Sequence, residues 1–155
     1  MSNKQRKLER SYQQTLQGKK EEIFPLLCPV REKEWLRGWD YNLIYSNSGL
    51  AEKGCVFETN NDFGSFQWIM TKYDSTDYEI QFVKFIQNKM IVVIDIELLD
   101  GEGDIVYCNI EYSFTAIDDS IIDKMHEGHT IEKFNRHMKF WEDSMNYFLK
   151  TGKML

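Results

Sequence analysis

The stretch IEKFNRHMKFWEDSMNYFLK, residues 131–150, decides the fold. Its apolar residues Ile131, Phe134, Met138, Trp141, Met145 and Phe148 recur at spacings of three and four, the mark of one buried stripe on an α-helix. Continued upstream to Asp118 and downstream to Gly152, the pattern predicts a single helix of roughly 33 residues, about 50 Å long. Ser120 and Asp123 fit a capping box at its start. Lys150 and Lys153 flank Gly152 at its end, where the helix dipole and a left-handed cap favour them. A helix of that length in a small chain needs a large partner surface, and the preceding residues supply one.

From residue 40 the hydrophobic period changes from 3.6 to two. Tyr41, Leu43 and Tyr45 face one way and Asn42 and Ser46 the other. Further strands are predicted over 55–59, 65–73, 78–86, 90–99 and 105–116, joined by polar, hairpin-like loops at 74–77, 87–89 and 100–104. The inward parity collects Phe66, Trp68, Met70, Tyr78, Ile80 and Phe82, then Ile94, Ile96 and Leu98, then Val106, Cys108, Ile110, Tyr112 and Phe114. The opposite parity carries Gln67, Glu79, Gln81, Asp95, Glu97, Asn109 and Glu111, so the sheet is antiparallel with one wet side. A weaker first strand covers 11–17. Two short helices follow, one over 19–28 that Pro25 shortens or kinks, and one from Pro29 to Leu36 that Gly38 ends. Residues 1–10 read as a flexible tail and 11–155 as one domain.

Composition narrows the function classes. The 155 residues suffice for a substantial core without disulfides, and the three cysteines, Cys28, Cys55 and Cys108, lack metal or redox spacing and read as reduced thiols in a cytoplasmic protein. A formal net charge of −6 argues against nucleic-acid binding. The longest aliphatic run, 90–94, is far too short to cross a bilayer. No Gly-x-Ser-x-Gly elbow is present, and Gly49 to Gly54 fails as a phosphate loop because Cys55 stands where lysine is required.

The order strand, two short helices, six strands, long helix is that of the helix-grip fold, an α+β architecture in which a curved seven-stranded antiparallel sheet wraps a long C-terminal helix. The segments FPLLCPVREKEWLRGW (24–39), YSNSGLAEKGCVF (45–57) and YFLKTG (147–152) resemble bacterial members of the SRPBCC superfamily, which holds START domains, plant pathogenesis-related allergens, aromatic polyketide cyclases and chaperone ATPase activators. The resemblance implies a cavity between sheet and helix that admits a hydrophobic or aromatic small molecule. Apart from the resemblance, no cofactor, metal or membrane insertion is expected, and the chain is expected to be a monomer or homodimer. A cyclase- or dehydratase-like cavity enzyme and a chaperone-activator-like interaction module are the alternatives.

The residues expected to hold the ligand are Trp35, Trp39, Tyr41, Tyr45, Phe57, Trp68, Phe82, Tyr112, His137 and Trp141. Tyr41, Tyr45, Trp68 and Tyr112 combine apolar bodies with polar tips, as small-molecule sites do. Trp35 and Trp39 stand at the expected cavity mouth, where helix packing explains them equally well. His137 is a candidate general acid or base, with a cavity tyrosine as the alternative. His126 and His129, with Glu127 and Glu132 near, fall short of a zinc ligand set. Arg31, Glu32 and Glu34 suit either an exposed ion pair that fixes the loop or the orientation of a ligand, the former being favoured. Trp68→Ala is expected to weaken ligand uptake more than folding.

Overall fold

The computed structural model describes residues 4–155. Seven strands, β1 (Lys7–Gln17), β2 (Asn42–Tyr45), β3 (Val56–Asn61), β4 (Gly64–Asp74), β5 (Glu79–Ile86), β6 (Met90–Asp100) and β7 (Ile105–Ala116), form one antiparallel sheet. Their order is β1-β7-β6-β5-β4-β3-β2, so every neighbouring pair except β1 and β7 is consecutive in the chain. Helices α1 (Lys20–Ile23) and α2 (Glu32–Trp35) connect β1 to β2, with a 3-10 turn at Phe24–Leu26 where Pro25 ends α1. The second helix has only four residues, and Pro29 lies ahead of it rather than inside its first turn.

The C-terminal helical region is two helices, not one. Helix α3 (Ile122–Gly128) stops at His129, and Thr130 caps α4 (Ile131–Thr151) by accepting from the Lys133 backbone N–H. The ring of Phe63 packs against Gly128 so closely that a Cβ there would lie 3.0 Å from it. The predicted box at Ser120 is replaced by Asp118, whose side chain accepts from the Ser120 N–H. Because α4 begins at Ile131, that residue is 64% exposed, while Phe134, Met138 and Met145 form the buried stripe. Gly152 closes α4 with φ +71° and an N–H bond to the Phe148 carbonyl, as expected.

The strand β1 starts at Lys7, so residues 7–10 of the expected tail are sheet; Met1 to Asn3 lie outside the described residues. Arg6 binds the Ala116 and Ile117 carbonyls and pairs with Asp119, and Arg10 donates to the His129 carbonyl. An edge strand carries unpaired backbone groups, and α4 side chains satisfy those of β1 at Thr15 and Gln17. Glu142 accepts from the Thr15 N–H at 2.5 Å and the Tyr12 hydroxyl at 3.2 Å. Asn146 accepts from the Gln17 N–H and donates to the Thr15 carbonyl. Glu142→Ala is therefore expected to destabilise the protein by about 1–3 kcal/mol, measured by urea unfolding; no change would mean that water replaces the carboxylate at no cost.

Two bulges set the curvature and change which side chains face inward. In β4 the register runs Met70 to Phe82 and then Lys72 to Gln81, leaving Thr71 extra. Parity flips there, and Tyr73 turns in to pack on Phe24 with ring centroids 4.9 Å apart. In β2 Leu43 pairs with Phe57 and Tyr45 with Val56, so Ile44 is the extra residue. The convex face is less uniformly polar than the alternation suggests: Ile69, Val83 and Val93 form a cross-strand row beside Phe85 and Ile91, and Ile69, Phe85 and Ile91 are exposed.

Candidate ligand cavity

The concave face of the sheet and the buried stripe of α4 do not meet everywhere. Between them is a cavity of about 540 Å³, partly open to solvent. Trp68, Lys84 and Tyr112 wall it from β4, β5 and β7, while Phe134, His137 and Trp141 wall it from α4. Trp39 closes one end and the 61–63 turn and His129 form the rim. A hollow of similar volume on the convex face is lined by Lys72, Glu79, Asp95, Glu97 and Glu111. Its polar groups largely satisfy one another, through Lys72 with Glu79, Gln81 with Asp95 and Asn109 with Glu97. The concave cavity is the candidate site.

Trp68 is the hub of its wall. Its ring stacks on Phe57 at 5.0 Å and meets Phe82 and Trp39 edge-on at 5.6 and 6.2 Å. Its indole N–H donates to Thr59 Oγ1 at 2.9 Å. The Trp39 N–H donates to the Pro29 carbonyl at 2.7 Å, which fixes that ring at the cavity end. The Lys84 ammonium lies 4.5 Å from the Phe66 ring centroid, 4.6 Å from that of Trp68 and 6.0 Å from that of Tyr112. Burial lowers the Lys84 pKa to about 8, although its side chain keeps accessible surface where it lines the cavity. No carboxylate forms an ion pair with it among the described residues.

The other titratable groups respond to the same enclosure. Burial, then the Lys84 charge, lowers the His137 pKa; its ring sits 5.1 Å from Trp141 with one side toward solvent. Burial also lowers that of His129, partly offset by its 2.9 Å bond to the Met125 carbonyl. The Tyr112 phenol is raised by burial first and by Glu32 second. Glu32 is only 9% exposed and burial raises its pKa to about 8. The expected exposed ion pair is Arg31 with Glu34 at 3.0 Å; Glu32 has no part in it.

No family model matches the chain, and no curated protein matches it by sequence. Solved structures do. Norcoclaurine synthase from Thalictrum flavum, in complex with dopamine and hydroxybenzaldehyde, matches with a TM-score of 0.72 and 8% identity, over 95% of this chain and 88% of that one. A hypothetical protein from Helicobacter pylori matches at 0.71 and 9%, over 91% and 87%. Ara h 8.0201 matches at 0.63 and 11%, over 94% and 99%. The chain has the helix-grip fold. At these identities the likeness is one of fold, and it agrees with the SRPBCC resemblance of the sequence.

Within the helix-grip frame, five of the ten expected ligand residues line the cavity: Trp39, Trp68, Tyr112, His137 and Trp141. Phe57 and Phe82 form a second layer behind Trp68. Tyr41 stacks on Trp39 with ring centroids 6.3 Å apart and stands outside the wall. Trp35 is fully enclosed, its N–H bonded to the Leu26 carbonyl, so it packs α2 rather than gating the mouth. Tyr45 is 59% exposed because the bulge at Ile44 turns it to the convex side with Val56. His126 bonds to the Gln5 carbonyl. Sequence reasoning missed Lys84, although its parity with Ile80 and Phe82 on β5 was visible.

Cys28, Cys55 and Cys108 are free and buried, and burial raises Cys55 to about 11 and Cys108 to about 12. No helix among the described residues is long and apolar enough to cross a membrane.

Proposed function

We propose that this chain binds a hydrophobic, aromatic small molecule in the cavity between sheet and α4, within the cytoplasm, where buried thiols stay reduced. The observation that carries the reading is the cavity of about 540 Å³ walled by Trp39, Trp68, Phe134 and Trp141. That volume lies in the range of small-molecule sites, and a few polar groups among apolar walls is their usual composition. The norcoclaurine synthase of the same fold holds dopamine and hydroxybenzaldehyde, both small aromatic molecules. Covering about 300 Å² of apolar wall would contribute about 7 kcal/mol before ordering costs, which sets micromolar binding as the upper bound.

A thermal-shift screen over flavonoids, polyketides, fatty acids and sterols tests this, because a ligand that binds the native state stabilises it. A saturable rise for an aromatic class supports the reading; flat responses throughout overturn it. Trp141→Ala is the sharper variant. Trp141 is half-buried and makes no hydrogen bond among those described, so its loss is expected to weaken uptake about tenfold while costing less stability than any core aromatic. Equal uptake by the variant and wild type would remove Trp141 from the site.

The second reading, a cyclase- or dehydratase-like enzyme, draws on one observation: the His137 imidazole lines a cavity continuous with solvent and is held below its ordinary pKa, hence neutral near pH 7. A neutral imidazole is a competent general base. His137→Gln is then expected to abolish turnover and spare binding; loss of neither discards the enzyme.

A further inference from the structure

We infer that the ligand is an anion: an aromatic molecule whose carboxylate, sulfonate or phenolate oxygen pairs with the ammonium of Lys84 inside the cavity. This deepens the proposed small-molecule reading and rests on it.

The position of Lys84 is the first argument. It lies on β5, between β4 and β6, on the concave face, one inward step beyond Phe82. Lysine stems ordinarily run along apolar surface and carry the charge out to water. Here the ammonium stays inside, surrounded by the rings of Phe66, Trp68 and Tyr112 at 4.5, 4.6 and 6.0 Å. Ring faces attract a cation but accept hydrogen bonds poorly, and an ammonium has three N–H donors to satisfy. The described hydrogen bonds and ion pairs include none from Lys84. Nor is it sealed off: its side chain lines the cavity. A buried charge without a counter-charge is costly to keep, and it makes sense where an incoming group supplies the missing partner.

The charge balance of the lining is the second argument. The chain carries a formal net charge of −6, yet the cavity is lined by Arg37, Lys84 and Lys133 against Asp40 and Asp62. Neither acid neutralises Lys84. Asp40 pairs with Lys33 at 3.5 Å, and the Asp62 group that is engaged is its backbone carbonyl, bonded to Lys124. Of the three cations, Arg37 donates to the Leu155 oxygen and Lys133 to the Glu127 carbonyl, so among the described residues Lys84 is the lining cation that no hydrogen-bond acceptor of the protein engages, and its charge attracts anions from solution.

The aromatic walls set the rest of the ligand's chemistry. Trp68 is stacked on Phe57 and overlain by Lys84, while Trp141 and Phe134 face it from α4. A flat ring system between these walls carries its acidic group toward β5. An oxygen of that group then accepts from the Lys84 ammonium in a water-poor space, where a charge-assisted bond is strong.

A matched pair of fluorescent probes tests the inference. 1-Anilinonaphthalene-8-sulfonate and N-phenyl-1-naphthylamine share their rings and differ by the sulfonate. Each is titrated into the wild type, Lys84→Met and Lys72→Met, the last removing an equal charge from the convex face. Lys84→Met is expected to weaken the sulfonate probe at least tenfold and to leave the uncharged probe within twofold. Lys72→Met is expected to change neither. Displacement by 1-naphthoate but not by 1-naphthamide extends the result from sulfonate to carboxylate. An equal change for both probes, or unchanged sulfonate affinity in Lys84→Met, overturns the anion and leaves the aromatic cavity standing. Failure of both probes to bind the wild type overturns the cavity reading itself.

Discussion

Glu32→Gln raises the stability of the protein at pH 8 and leaves it nearly unchanged at pH 4. The carboxyl is 9% exposed and meets no hydrogen-bond or ion-pair partner among the described residues, so burial alone raises its pKa from 4.5 to about 8. Below the unfolded value both states hold the proton and no difference arises. Between 4.5 and about 8 the folded state keeps a proton that the unfolded state has released, so stability falls as pH rises. Above about 8 both are ionised and the loss levels off. With each pKa unit worth about 1.4 kcal/mol, the loss amounts to about 3–5 kcal/mol. Glutamine has nearly the shape of the protonated acid and does not titrate. Its melting temperature should exceed that of the wild type by on the order of 10 °C at pH 8. Parallel pH profiles for the two proteins would show that Glu32 reaches water or a partner in solution.

Trp68→Ala costs about 3–5 kcal/mol of folding stability together with ligand uptake. The ring stacks on Phe57, meets Phe82 and Trp39 edge-on, bonds Thr59 through its N–H and lies beneath Lys84. Truncation empties a wall that three other rings lean on and orphans the Thr59 hydroxyl. The expectation from sequence is that uptake suffers more than folding; this geometry adds a substantial folding cost to it. Trp68→Phe keeps the stacking and loses the hydrogen bond, so it should cost about 1–2 kcal/mol. Denaturant unfolding of both variants separates these terms. A loss below 1 kcal/mol for Trp68→Ala would mean that the ring cluster is not coupled as drawn.

How far the sequence carried depends on where the regular periods were interrupted. Strands β6 and β7 contain no bulge, so Ile94, Ile96 and Leu98 and the run from Val106 to Phe114 alternate without a break and read correctly. An extra residue in a strand has no composition of its own. Nothing about Ile44 or Thr71 marks it as a bulge, and each reverses the parity beyond it, which misplaced Tyr45. The break in the C-terminal helix had a visible cause in Gly128 and Thr130, outweighed by the continuing apolar stripe. Glu32 belongs to a four-residue helix whose burial depends on what packs over it, and no local pattern encodes that. Lys84 was legible by position and overlooked by residue type, since a charge at an inward site contradicts the rule that finds cores.

The strand order also sets a sequence of events in time. Lys7 pairs with Thr115, so β1 cannot pair until β7, about a hundred residues later, has been made. At about 5–20 residues per second that delay is roughly 5–20 seconds. The hairpins from β3 to β7 need only local loops and can close meanwhile. During the wait Lys7, Glu9 and Arg10 give the unpaired strand charges that discourage association with other chains. Helix α4 is held to that same strand through Glu142 and Asn146. The roof of the cavity therefore arrives with the closing strand, and a nascent chain has no pocket to fill until β1 has found its place beside β7.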